Sequence, residues 1–212
     1  MADHDPWAST YEDHEAPRPP NVHLLATLSR LNPAPGGRAL DLGCGSGRHF
    51  PALAQHGLSP IGVDLSAAAI ARSHRFASRV PLAQASVDAL PFADHTFDWI
   101  VAWGVLFHLF TDQLHRALRE IRRTLAPQGT AILHALDPSD WRRDPNAGPA
   151  HRREIASRHV TGVIDSYYTP EEVAAMLAPH FEIVSRELVS TQHDYGKSAE
   201  WVIVVNPLPT PK

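Results

Sequence analysis

The residues best suited to chemistry in this chain are acids at the ends of short apolar runs, set beside glycines. ALDLGCGSGR places Gly43, Gly45 and Gly47 at alternate positions after such a run, with Asp41 just ahead of them. Glycines there let backbone approach a ligand closely as the chain turns into a helix, although a tight turn alone could also use them. A dinucleotide fingerprint, G-x-G-x-x-G, would put its third glycine at position 48, which is Arg48, and no lysine follows as a P-loop requires. Asp64 closes IGVD and Asp88 closes a third stretch in SVDALPF. A carboxylate at the second strand tip can accept from both hydroxyls of a ribose. One at the third tip can accept from an adenine amine, while the backbone N–H of Ala89 donates to the ring.

Strands and helices must bring these acids together. After a proline-rich stretch, 1–20, read as a mobile or wrapped-over arm, NVHLLATLSRL (21–31) has the spacing of an amphipathic helix. RALDLG, SPIGVDL, PLAQASV, TFDWIVAWG (96–104) and GTAILHAL (129–136) read as strands. Helical stretches lie between several of them, including 112–125 with its apolar face. Segment 138–166 has no clean period and reads as an insertion. TPEEVAAMLAPH is a capped helix, and FEIVSRELVST with SAEWVIVVN closes the chain as an antiparallel pair. Such alternation calls for an α/β doubly wound, Rossmann-like, mostly parallel seven-stranded sheet with the last strand antiparallel. The domain is expected over 21–207, with 208–212 as a tail. Ligands bind such sheets at the carboxyl ends of the strands.

The chain has 212 residues, 43% apolar and 20% charged, which is globular composition. No run of 18 apolar residues is present, and the acidic N-terminus is not a signal peptide, so the expected location is cytoplasmic, away from membranes. Acids outnumber bases 23 to 19, for a net charge of −4, which gives no pull toward nucleic acid. A single cysteine and histidines without ligand spacing point to no metal.

DLGCGSG, IGVDLS, SVDALPF, FDWIVAWGVLFHL and LREIRRTLAPQGTAIL, in register over about 38–136, resemble the class I S-adenosylmethionine-dependent methyltransferases, and GCGSGRHFPALAQHG most resembles their small-molecule branch. That resemblance implies S-adenosylmethionine as cofactor, S-adenosylhomocysteine as product and a small-molecule acceptor. It implies that Gly43, Cys44 and Gly45 line the methionine end, with Asp41 ordering the loop behind them. Asp64 would hold the ribose, Leu65 cover the adenine, Asp88 and Ala89 read its edge, and Trp103 sit beside the adenosine. Arg48 would reach the methionine carboxylate, and Tyr11 would lie in an arm folded over the cofactor.

Methyl transfer from a sulfonium depends mainly on alignment. A base matters only if the acceptor must lose a proton, and His108 is the candidate; His134, inside a strand, reads as a core histidine. The insertion 138–168 carries Trp141, Tyr167 and Tyr168, expected as apolar walls of an acceptor pocket beneath a lid, with Arg142, Arg143, Arg152, Arg153 and Arg158 among them. The competing readings are a non-catalytic S-adenosylmethionine-binding protein and a nicotinamide-dependent oxidoreductase. Either a monomer or a homodimer is compatible with the sequence.

Overall fold

A computed structural model describes residues 5–12, 17–144, 146, 154–157, 160–194 and 196–209. Helix α1 (Ala8–Glu12) precedes α2 (Val22–Leu31), and β1 (Arg38–Leu42) opens the alternation. It continues through α3 (Phe50–Gln55), β2 (Ser59–Asp64), α4 (Ala67–Phe76), β3 (Leu82–Gln84) and β4 (Phe97–Ala102). Then come a short 3-10 turn at Leu106–His108, α5 (Thr111–Thr124) and β5 (Leu125–Leu136). A small hairpin, β6 (Ile155–Ala156) and β7 (Ile164–Asp165), leads to α6 (Pro170–Leu177), β8 (Phe181–His193) and β9 (Gly196–Pro207).

Seven strands form one sheet in the order β3-β2-β1-β4-β5-β9-β8. The first five run parallel, and β9 enters antiparallel between β5 and β8. This is the α/β doubly wound sheet with an antiparallel last strand that the alternation requires. The chain order reverses at β1 and β4, which makes the carboxyl ends of those strands the switch point where ligands bind.

The two-residue period of a strand sorts the core into two layers. Leu40, Leu42, Ile100, Ala102, Leu133 and Ile203 face α5 and α6, whereas Ala39, Val101, Ile132 and Val202 face α2 and α3. By the same alternation Asp41, Trp103, His134 and Glu200 share the second face, near the switch point. On α5, Leu114, Ala117, Leu118 and Ile121 are buried at helical spacing, each large side chain contributing about 1.5–3 kcal/mol by leaving water. Caps fix the helix starts. Asn21 accepts from the N–H groups of His23 and Leu24, Ser66 from Ala69, and Thr169 forms a capping box with Glu172.

Several elements differ from the sequence expectation. The third strand is three residues long because Ala85 to Leu90 turn away toward α5. The fifth starts at Leu125, four residues early, as Phe97 pairs with Leu125 across a register shift. Part of the arm is a packed helix: the Arg72 guanidinium donates to the Tyr11 carbonyl (2.9 Å) and the Ser66 hydroxyl to Asp5. The insertion is not a structureless loop. Its hairpin is tied to the 3-10 turn by the Ser166 N–H, which donates to the Phe107 carbonyl at 2.9 Å.

Candidate active site

The glycine loop is shaped by backbone that other residues cannot follow. Gly43, Gly45 and Gly47 have φ of +73°, +55° and +79°, the left-handed region that favours glycine. A Cβ on Gly43 would meet Val105 at 2.8 Å, and one on Gly45 the Tyr11 hydroxyl at 2.7 Å. Asp64 fastens the loop to β2: its carboxylate accepts from the N–H of Gly45 (2.8 Å) and of Ser66 (2.9 Å). Burial nonetheless raises its pKa above the ordinary carboxylate range.

Two adjoining cavities open over this loop. The first, about 200 Å³, is lined by Thr10, Tyr11, Arg18, Gly43, Cys44, Gly45, Ser46, Arg48, His49, Arg72, Trp103 and Gly104. It is cationic and holds unspent polar capacity, since the buried atoms Arg72 Nη2 and His49 Nε2 have no hydrogen-bond partner, nor has Asp41 Oδ2 behind them. Burial lowers the Arg48 pKa, against the pull of Asp41. The second, about 240 Å³, is mostly apolar. Leu65, Val87, Val105, Leu109, Val163 and Ile164 wall it, with Asp64, Ser86, His108 and Gln113 as its polar groups and Trp7 at its edge. The cavities share Tyr11, Gly43 and Gly104. Gly104 has nothing within 4 Å of where a Cβ would stand.

A charged chain supports the floor. His134 Nδ1 accepts from the Gly104 N–H (3.2 Å), so in the neutral ring Nε2 carries the proton and faces Glu200 at 3.2 Å. Burial lowers the His134 pKa, keeping the imidazole neutral. Burial opposes ionisation of Glu200 as well, yet the His134 contact and the Arg142 guanidinium (3.0 Å) pull its carboxyl down to about 2. The Trp103 ring stacks on His134 with centroids 4.6 Å apart and planes 10° from parallel.

Most sequence candidates meet here. Tyr11, Gly43, Cys44, Gly45 and Arg48 line the cationic cavity, with Asp41 behind the loop, and Asp64, Leu65 and His108 line the apolar one. Trp103 lines the cationic cavity, which adjoins the apolar one at Gly104. The Cys44 thiol is buried and its pKa is driven up by desolvation, so it is no nucleophile.

Three expectations need correction. Asp88 does not face the cavity: its carboxylate accepts from the Ser86 hydroxyl and from Arg116 Nε (2.9 Å), and the Ala89 N–H donates to the Ser86 carbonyl. Ser86 and Val87 line the cavity in their place. Tyr167 and Tyr168 are buried in the core layer, where the Tyr168 N–H donates to Leu136 and Trp201 Nε1 donates to the Tyr168 carbonyl. Trp141 packs over Gly196 at the β8–β9 turn, and none of these three lines either cavity. Arg152, Arg153 and Arg158 lie outside the described residues.

Arg18, His49, Arg72, Ser86, Val87 and Val163 were not foreseen. Arg72 gives no sequence signal beyond being a cation at a buried position of α4. Among the described residues no group of histidine, cysteine or acidic side chains could hold a metal, and no helix is long and apolar enough to cross a membrane.

Comparison with known proteins agrees with this geometry. Residues 40–133 match the methyltransferase domain family. An uncharacterized methyltransferase of Synechocystis is 31% identical over 54% of this chain and 54% of its own length. The cypemycin N-terminal methyltransferase of a Streptomyces is 34% identical over 58% and 52%. The chain thus spans about half the length of these curated relatives. A protein of Pyrococcus horikoshii superposes with a TM-score of 0.69 at 22% identity, covering 88% of this chain and 89% of that one. The 1,6-didemethyltoxoflavin N1-methyltransferase of Burkholderia thailandensis, solved with S-adenosylhomocysteine, gives 0.69 at 21% identity over 89% and 78%. These two superpositions speak for the fold. Together with the glycine loop and Asp64, the domain match over residues 40–133 and these superpositions support a class I S-adenosylmethionine-dependent methyltransferase domain in this chain.

Proposed function

We propose that the chain transfers a methyl group from S-adenosylmethionine to a small-molecule acceptor. The observation that carries this reading is the meeting of two unlike cavities at Gly43 and Gly104. The cationic one suits the amino-acid tail of the cofactor, with Arg48 toward its carboxylate. The apolar one suits the adenosine, with Asp64 on the ribose, Leu65 over the ring, and Ser86 and Val87 along its edge. The cofactor, when bound, supplies a sulfonium methyl that an acceptor lone pair displaces, leaving a neutral thioether.

The protein's share is alignment, on the order of 7–11 kcal/mol in the best cases, and exclusion of water by Tyr11 and the hairpin. His108 is the base for an acceptor that must shed a proton. Its Nδ1 lies 3.0 Å from the Ile164 carbonyl, an acceptor only, so Nδ1 carries the proton in the neutral ring and Nε2 keeps the lone pair. The net charge of −4 favours a small acceptor over nucleic acid. Some relatives, such as a tRNA U34 carboxymethyltransferase of Saccharophagus degradans, are named for tRNA, so tRNA must be tested. A [4+2]-cyclase shares the fold with a TM-score of 0.68 at 18% identity, so the fold by itself does not fix the reaction, and a non-catalytic reading must be tested too.

The test is calorimetry with S-adenosylhomocysteine, followed by incubation of methyl-labelled donor with separated small-molecule, tRNA and protein fractions. Binding with label in the small-molecule fraction is expected. Label in tRNA alone overturns the acceptor class, and binding with no transfer to any fraction supports the non-catalytic reading. Failure to bind S-adenosylhomocysteine overturns the proposal.

A further inference from the structure

Asp165, at the end of β7, is a buried carboxylate, 2% exposed. Its Oδ1 is buried without a hydrogen-bond partner and lies 3.1 Å from His108 Nδ1. The N–H on that nitrogen donates to the Ile164 carbonyl at 3.0 Å, which leaves Asp165 Oδ1 against the ring but without its hydrogen. A buried carboxylate without a strong partner is costly. The Asp165 position therefore gains most when the ring it faces is protonated.

We propose that Asp165 is the positioning residue for His108, fixing its orientation and stabilising the imidazolium that forms as it takes a proton from the acceptor. This inference rests on the reading of His108 as the base. As the acceptor atom bonds to the methyl carbon, its proton passes to His108 Nε2, and the electron pair of the broken S–C bond stays on sulfur. The ring then carries one positive charge beside the Asp165 carboxylate, the arrangement in which a carboxylate orients a histidine base. Other titratable groups surround the ring. Tyr11 and Asp64 share its cavity, His134 lies behind Phe107, and Glu154 is engaged by the Thr111 N–H and hydroxyl. Among the described residues Asp165 is the carboxylate that contacts the ring directly.

Because β7 supplies both the Ile164 acceptor and the Asp165 contact, the base is held in place only while the hairpin is docked on the 3-10 turn. This ties base geometry to the wall that closes the apolar cavity.

The main readout needs no acceptor. Nitrogen-15 histidine spectra of the S-adenosylhomocysteine complex, assigned with His108→Gln, follow the His108 ring as pH is varied. Asp165→Asn, which keeps the shape and removes the charge, is expected to move the titration midpoint down. Asp165→Glu, which keeps the charge, is expected to leave it close to that of the parent. An unmoved midpoint in Asp165→Asn overturns the inference, and so does a Glu variant that behaves like Asn. Undiminished labelled-methyl transfer by His108→Gln, with the midpoint still moving in Asp165→Asn, would instead overturn the reading of His108 as the base.

Discussion

Asp64 stands at the tip of β2 and Asp88 four residues past the end of β3, and the two acids are used in opposite ways. Asp64 is turned inward, accepts from the Gly45 and Ser66 N–H groups, and has its pKa raised by burial. Asp88 lies in the segment after β3 that α5 captures. Burial works against its charge too, but the Ser86 hydroxyl and the Arg116 guanidinium outweigh it and lower its pKa. The rest of that segment is held the same way: the Leu90 N–H donates to Glu120 (2.7 Å), and Arg123 donates to the Phe92 carbonyl (2.7 Å). An acid near a strand tip serves a ligand only where no neighbouring cation takes it first.

Substitutions at the two acids should separate these roles. Asp64→Ala is expected to weaken S-adenosylhomocysteine binding at least about 100-fold by calorimetry, since two charge-assisted bonds to a ribose are lost and the Gly45 anchor with them. Retained affinity would show that this acid is as structural as the other. Arg48→Ala should weaken the same ligand about tenfold, one charged hydrogen bond, while leaving adenosine binding unchanged. Equal losses for both ligands would mean that the cationic cavity does not take the amino-acid tail.

A pH titration sharpens the contrast. Asp64 has a raised folded-state pKa, so its effect on stability runs opposite to that of a paired acid: stability falls as pH rises from the ordinary value through the raised one. Affinity for S-adenosylhomocysteine should rise over that same window, above about pH 4, as the carboxylate forms. A flat affinity there would contradict ribose binding by Asp64. The smallest effect is expected at the other acid. Asp88→Ala should change S-adenosylhomocysteine affinity less than about twofold and cost about 0–1 kcal/mol in denaturant unfolding, the scale of a partly exposed ion pair.

The contrast also shows what could be read from the sequence. The doubly wound sheet, the glycine loop and the place of Asp64 at a strand's end were legible because they follow from local rules: apolar runs of strand length, glycines at a turn, an acid closing an apolar run. Asp88 was misplaced because its fate depends on Arg116, 28 residues away, which local spacing does not reveal. Tyr167 and Tyr168 were misplaced for a related reason. Aromatic rings suit a pocket wall and a core equally, and the backbone bonds to Leu136 that decide between them are tertiary. His108 was visible as a residue just past the fourth strand, whereas Asp165 lies in a segment whose sequence shows no period at all.

One element touches both cavities from above. Tyr11, carried on a five-residue helix, overlies Gly45 and borders the cationic and the apolar space alike. A molecule spanning the two is enclosed by a single latch, fastened by Arg72 at the Tyr11 carbonyl and by Ser66 at Asp5. Its two ends cannot be traded separately. If one ligand fills both cavities, as proposed above, its exit and its entry would each require this same short helix to move, so a change at Arg72 or Ser66 would alter both rates together.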